Sequence, residues 1–246
     1  MKASVAWSLV LSVLASGSTP SRNTAITSFS EAKRLAAKVF EGYEETLYCG
    51  CRYDGRTIDR KSCGYQPERP SKRAQRLEWE HVVPAHAFGQ SFRAWREGHP
   101  ACVDRRGRAF EGRNCARKVE LEFRLMESDL YNLQPAIGAL NSKRSNFSMA
   151  MIAGESREFG ACDFEVENRK IEPRPEVRGD IARTYQYMNS AYPGRGVISR
   201  ENRKLFESWS KEDPVDAGEC ERTRRIAKLQ GNRNDVVARA CESAGL

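Results

Sequence analysis

The chain contains three histidines, His81, His86 and His99, and histidine is the side chain best suited to accept a proton near neutral pH. His81 has the richest surroundings. In Glu78-Trp79-Glu80-His81-Val82-Val83-Pro84 one carboxylate stands beside it and a second lies three residues back. Two readings are open here: a general base, or a buried histidine balanced by a neighbouring glutamate. A zinc pair of the protease type is excluded. That site needs two histidines four apart on a continuous helix, whereas His81 and His86 are five apart with Pro84 between them, and strand positions five apart face opposite sides. His99, between Gly98 and Pro100, reads as a loop residue.

A second cluster runs from Met126 to Pro135 and is followed by Asn141 and Lys143-Arg144-Ser145-Asn146. Asparagine is a poor residue for the middle of a helix, so Asn141 is a surface residue, a helix end or a metal ligand.

The elements that would position these residues are partly legible. Ser28 and Glu31 have capping-box spacing, and Ala32, Leu35, Ala36, Val39, Phe40 and Tyr43 recur at helical intervals, which predicts an amphipathic helix over Ser28–Tyr43. Asp54-Gly55 is a hairpin turn signal between Cys51 and Cys63. Leu77, Trp79, His81 and Val83 alternate with polar residues, predicting a short strand that stops at Pro84. The stretch from Gln90 to Arg117 reads as a very basic loop, and Pro135 as the opening of a helix that carries Asn141. Glu172-Pro173-Arg174-Pro175 reads as a stiff linker into a helix near Glu176–Met188, and the chain beyond Asn202 as helical with a break at Asp213-Pro214. The expected fold is α+β: a mainly helical single domain with a few short strands.

Met1-Lys2, the apolar run Val5–Ala15 and the small residues Ser16 to Thr19 have the order of a secretory signal peptide. We therefore expect a signal over residues 1–20 and one domain over 21–246. All eight cysteines follow that segment, and an even count after an export signal predicts four disulfides. Eight cysteines allow 105 pairings; Cys102 with Cys115 and Cys220 with Cys241 close the least costly loops. The formal net charge of +8 suits an anionic partner such as nucleic acid, lipid headgroups or acidic glycans. No apolar run is long enough to span a membrane.

Several blocks together are specific. Glu78–Ala85, Arg124–Leu130, Asn132-Leu133, Pro135–Gly138, Arg144–Asn146, Glu172–Thr184 and Leu229–Asn234 resemble the bacterial endonuclease I family, in family order from about Tyr48 to Cys241. The resemblance implies a periplasmic or secreted nuclease with a ββα-metal (His-Me) finger. It implies that His81 is the general base, that Glu80 and Asn141 hold one divalent metal, that Glu127 is an acidic residue near the site, orienting His81, and that Arg113 contacts the scissile phosphate. One carboxylate, one amide oxygen and several waters form a hard-oxygen site suited to Mg²⁺, with Mn²⁺ or Ca²⁺ able to substitute in binding. The implied reaction is hydrolysis of DNA, with RNA a further candidate, at little sequence preference and leaving 5′-phosphate ends. We expect a monomer with no membrane partner once the signal is removed.

The family usually has tryptophan where this chain has His86, and a partly buried polar side chain is the preferred account of the replacement. Phosphate contacts from the basic 90–117 segment would explain binding without base choice. Two rival readings remain at this level: a catalytically inactive nucleic-acid-binding protein of the same fold, and a basic, disulfide-rich structural or effector protein. Retention of Glu80, His81 and Asn141 counts against the first.

Overall fold

The computed structural model describes residues 21–154 and 156–246, so the expected signal segment lies outside the described residues. The chain opens with α1 (Phe29–Val39), where the Ser28 hydroxyl caps the helix by accepting from the Glu31 amide and Ala32, Ala36 and Val39 turn inward. A small hairpin follows, β1 (Tyr53–Asp54) and β2 (Thr57–Ile58), with Gly55 at φ +55° in the turn, as Asp54-Gly55 predicts.

At the centre, β3 (Leu77–His81) pairs antiparallel with β4 (Leu133–Ile137) in a two-stranded ladder that sets Glu80 opposite Gln134 and His81 opposite Leu133. Between these strands come α2 (Ala85–Gly89), α3 (Arg93–Glu97), α4 (Gly112–Val119) and α5 (Leu121–Glu127). Directly after β4, α6 (Gly138–Arg144) begins, so strand, strand and helix form one ββα unit.

This corrects the reading of Pro135 as a helix start. Pro135 lies within β4 opposite Trp79, and its carbonyl accepts from the Leu47 amide. A two-stranded ladder has a free edge on each strand, so a residue without an N–H is tolerated there. Gly138 is where the helix starts, and its lack of a side chain is needed. A Cβ there would stand 2.8 Å from a Glu78 carboxylate oxygen and 3.0 Å from the Arg73 carbonyl.

The 90–117 segment is likewise not all loop. α3 and α4 pack on each other around the Cys102–Cys115 disulfide, with Ala94, Phe110 and Val119 in a small apolar cluster of their own. Tertiary burial overrides a locally polar sequence here.

The expected linker at 172–175 is also partly strand. β5 (Ser148–Met149), β6 (Phe164–Glu167) and β7 (Lys170–Pro173) form a three-stranded sheet in the order β5-β7-β6, parallel on one side of β7 and antiparallel on the other.

The remainder is helical: α7 (Arg178–Ala191), α8 (Arg200–Glu212), α9 (Ala217–Gln230) and α10 (Asp235–Ala244). The break at Asp213-Pro214 falls between α8 and α9 as expected. One main core joins α1, the central ladder, α5, α6, α7 and α8, and includes Phe88, Phe123, Leu133, Phe164, Tyr187 and Trp209. The architecture is a helix-rich α+β domain.

Four disulfides form: Cys49–Cys162, Cys51–Cys63, Cys102–Cys115 and Cys220–Cys241. The Cys102–Cys115 and Cys220–Cys241 pairings are those expected, while Cys51–Cys63, at a separation of 12 residues, closes the shortest loop of the four. Among the described residues no helix is long and apolar enough to cross a membrane.

Candidate active site

A cleft of about 1320 Å³ runs along the free edge of β3, and all five residues of that strand line it. Successive strand side chains point to opposite faces, so Glu80 and His81 should diverge. They do, and the cleft resolves the conflict. Glu80 turns toward α6 and Tyr48, His81 toward α1 and α5, and both still border the one groove past the strand edge.

His81 closes β3 and is 8% exposed. Its Nε2 lies 2.8 Å from the Glu127 backbone carbonyl. A carbonyl oxygen only accepts, so the ring proton belongs on Nε2 and the lone pair on Nδ1. The Phe29 ring packs on the imidazole with centroids 4.7 Å apart. Burial, reinforced by the Arg113 cation, pulls the His81 pKa down to about 4, against a smaller opposing effect of the Glu127 carbonyl. At pH 7 the imidazole is neutral, fixed in one tautomer and able to accept a proton.

Glu80 is buried. Tyr48 donates to its Oε1 at 2.7 Å, and the Arg144 Nε stands 3.0 Å from the same oxygen. Both partners fall on Oε1, which leaves Oε2 available. Burial pushes the Glu80 pKa up to about 7; Arg144 and Tyr48 hold it back, and Glu78 adds to the rise. Asn141, in α6, donates from Nδ2 to Glu78 Oε2 at 3.2 Å, which frees its Oδ1 as an acceptor. Glu78 itself is gripped by Arg73 and Arg76 at 2.5 Å each. Burial opposes its charge, but those two guanidiniums prevail and hold its carboxyl below the usual range.

These donors fit a hydrated divalent cation. Among the described residues no group of three or more His, Cys, Asp or Glu forms a cage. One carboxylate oxygen and one amide oxygen in an open cleft instead match an ion that keeps most of its waters. A carboxyl poised near neutrality also exchanges its proton for a cation at small cost.

Arg113 and Arg117, both on α4, converge on one buried carboxylate. Arg113 Nε donates to Glu127 Oε1 at 2.5 Å, and Arg117 grips both oxygens, at 2.7 and 2.6 Å. Burial works against the Glu127 charge, but Arg117 and Arg113 keep its carboxyl below the usual range. Glu127 therefore touches His81 through its backbone and Arg113 through its side chain. Arg113 lines the cleft with His81, Glu80 and Asn141. His86 also lines it, within reach of Gln90 and edge-on to Trp95, and is exposed where a partly buried side chain is expected. His99 accepts from the Ala101 amide in a turn away from the cleft.

Sequence reasoning did not single out Tyr48, Arg144 or Arg117 as supports. Arg144 carried a signal, lying three residues beyond Asn141 and hence on a neighbouring face of the same helix. Tyr48 and Glu80 are 32 residues apart and carried none.

A cationic cleft around a neutral imidazole suits an anionic polymer, and comparison with known proteins places the chain among the nucleases. The model of the Endonuclease I family matches residues 31–241. A periplasmic deoxyribonuclease of Aeromonas hydrophila is 40% identical over 232 residues, covering 92% of this chain and 91% of the relative. An extracellular deoxyribonuclease of the same organism is 39% identical over 242 residues, covering 96% and 97%. Endonuclease-1 of Buchnera aphidicola is 36% identical over 223 residues, covering 88% and 82%. The chain belongs to the endonuclease I family.

Proposed function

We propose that this nuclease is exported and hydrolyses DNA with little sequence preference, with β3, β4 and α6 acting as a ββα-metal finger. Glu80 Oε2 and Asn141 Oδ1 hold a single Mg²⁺. When bound, that ion polarises the phosphate and stabilises charge on the leaving oxygen. His81 Nδ1 takes the proton from the attacking water, while its Nε2–H stays on the Glu127 carbonyl and fixes the ring. The Arg113 guanidinium, tethered by Nε, offers its remaining N–H groups to the phosphate as charge develops. Products carry 5′-phosphate and 3′-hydroxyl ends.

The observation that carries this reading is the His81–Glu127 carbonyl contact. It puts a ring proton on Nε2, so that in the neutral ring favoured by burial and the Arg113 cation the lone pair sits on Nδ1, at a cleft shared with Glu80, Asn141 and Arg113. DNA is the favoured substrate. The relatives named deoxyribonucleases align over most of the chain, whereas an extracellular ribonuclease of Bacillus subtilis aligns over 45% of it. The relatives named periplasmic or extracellular support export.

The test is incubation of the oxidised protein with plasmid DNA in Mg²⁺, then with EDTA. Nicking and linearisation that stop on chelation are expected; equal cutting in EDTA contradicts the metal assignment.

A further inference from the structure

The arginines of the 90–117 segment stand out in the sequence, yet most of them are engaged locally. Arg93 pairs with Glu97 at 2.7 Å, Arg108 with Asp104 at 2.7 Å, and Arg117 with Glu127. Of that segment's cations only Arg113 lines the cleft.

The cations along the cleft are differently placed. Arg73 and Arg76 share the single carboxylate of Glu78 and are held by it, and Arg34 lies 3.8 Å from Glu31. Lys33 and Lys38 on α1, and Arg56 at the tip of the β1–β2 hairpin, line the same cleft and have no acidic partner within 4.0 Å among the described residues. All three are exposed. Lys33 and Lys38 are separated by about 7.5 Å of helix rise, enough for separate phosphates.

Lys33 is also tied to the reaction centre. Its Nζ lies 5.0 Å from the Phe29 ring centroid, and that ring packs on His81 and lies beneath Arg113 at 5.7 Å. Half-buried Tyr53 and Trp79 line the cleft alongside these cations. Two carboxylates, Glu41 and Glu44, line it too, and Glu44 accepts from the Gly42 amide. Unneutralised cations over an aromatic floor are what a polyanion backbone needs, since phosphate contacts give affinity without reading sequence.

We propose that Lys33, Lys38 and Arg56 form a phosphate track for the nucleic-acid strand, leading from the scissile position at His81 and Arg113 along α1 to the hairpin tip. This rests on the nuclease reading above and adds the path of the substrate beyond the cut bond. The hairpin is closed by the Cys51–Cys63 disulfide, so Arg56 sits on a constrained loop and not a floppy one. The track binds backbone and carries no base preference.

The test measures binding of a duplex of about 20 base pairs in Mg²⁺ over a range of salt, with the His81→Ala protein as reference so that no cleavage intervenes. Adding Lys33→Ala, Lys38→Ala and Arg56→Ala lowers the slope of log affinity against log salt by roughly 2.7, since each phosphate left without its cation removes roughly 0.9. Adding Arg105→Ala and Arg106→Ala in the basic segment lowers it by less than about 1. An unchanged slope in the triple variant overturns the track, as does a larger fall from the Arg105/Arg106 pair. Circular dichroism and thermal melting of each variant accompany the titrations, and a triple variant whose slope falls only because it unfolds overturns the track as well. Failure of the nuclease reading is separately visible, as wild-type protein inert on plasmid DNA.

Discussion

Two buried acids, one in the cleft and one behind it, have opposite fates. Asp129 is fully enclosed, and every acceptor position is filled: Oδ1 takes the Tyr131 amide and Gln230 Nε2, and Oδ2 takes the hydroxyls of Tyr187 and Tyr192 at 2.8 and 2.7 Å. Glu80 is buried as deeply, but its two partners crowd onto Oε1 and Oε2 is left at the cleft. Burial raises both pKa values. The difference is unfilled acceptor capacity. Asp129 locks the turn after α5 to α7 and α9, and so holds Glu127 where its carbonyl meets His81. Glu80 has both of its close partners on Oε1, so Oε2 is open to the metal proposed above. A buried carboxylate with all its lone pairs occupied is a fastener, and one with an oxygen to spare has the capacity that the proposed metal site requires.

The contrast is most easily broken on the cleft side. Replacing His81 by alanine should lower cleavage of duplex DNA by roughly 10²–10⁴-fold, the usual range for a general base, while gel-shift binding persists; near-normal turnover would remove His81 from the chemistry. Arg117→Gln should cost about tenfold in kcat with little change in KM, because it leaves Glu127 to neutralise Arg113 alone and draws that guanidinium off the phosphate. Restoration by Arg117→Lys would be incomplete, since an ammonium cannot grip both carboxylate oxygens as the guanidinium fork does.

On the core side the expected effect is on stability. Asp129→Asn brings an N–H₂ group up against donors, and should lower unfolding free energy by about 1–3 kcal/mol in urea titrations. Its kcat should stay within a few-fold of wild type at a temperature where the fold persists. A large kcat loss without destabilisation would mean that Asp129 acts in the chemistry and would erase the contrast.

The pH dependence is the subtlest test. His81 must be neutral to accept a proton, and its pKa is lowered to about 4, so at saturating Mg²⁺ kcat/KM should rise through about pH 4 and be level well before 6.5. Glu80 must be ionised to hold a cation, and its pKa is raised to about 7. At limiting Mg²⁺ activity should therefore fall as pH drops below about 7, and added Mg²⁺ should restore it. A single limb near 6.5, insensitive to Mg²⁺, would contradict both assignments.

Much of this was legible in the sequence because it rests on local pattern. The Ser28 cap, the Asp54-Gly55 turn, a strand from Leu77 and the Cys102–Cys115 and Cys220–Cys241 bridges all follow from neighbours in the chain, although the alternation predicts a strand to Pro84 and it closes at His81. The β5-β7-β6 sheet and the Cys49–Cys162 bridge join residues far apart, and nothing local marks them. Pro135 misled because a proline after a polar turn looks like a helix start, whereas the edge of a two-stranded ladder accepts it. The site shows the same division. His81 and Asn141 draw notice by type and setting, and the metal role expected of Glu80 and Asn141 comes from the family resemblance, but the contact that fixes the imidazole comes from the Glu127 backbone, and a carbonyl has no residue signature.

The most direct test of the metal site counts bound Mn²⁺ by electron paramagnetic resonance, without DNA, for wild type, Glu80→Gln and Asn141→Ala. The expected result is one Mn²⁺ per wild-type chain, much weaker binding in Asn141→Ala and none in Glu80→Gln at the same concentration. Equal Mn²⁺ binding by all three proteins would contradict it.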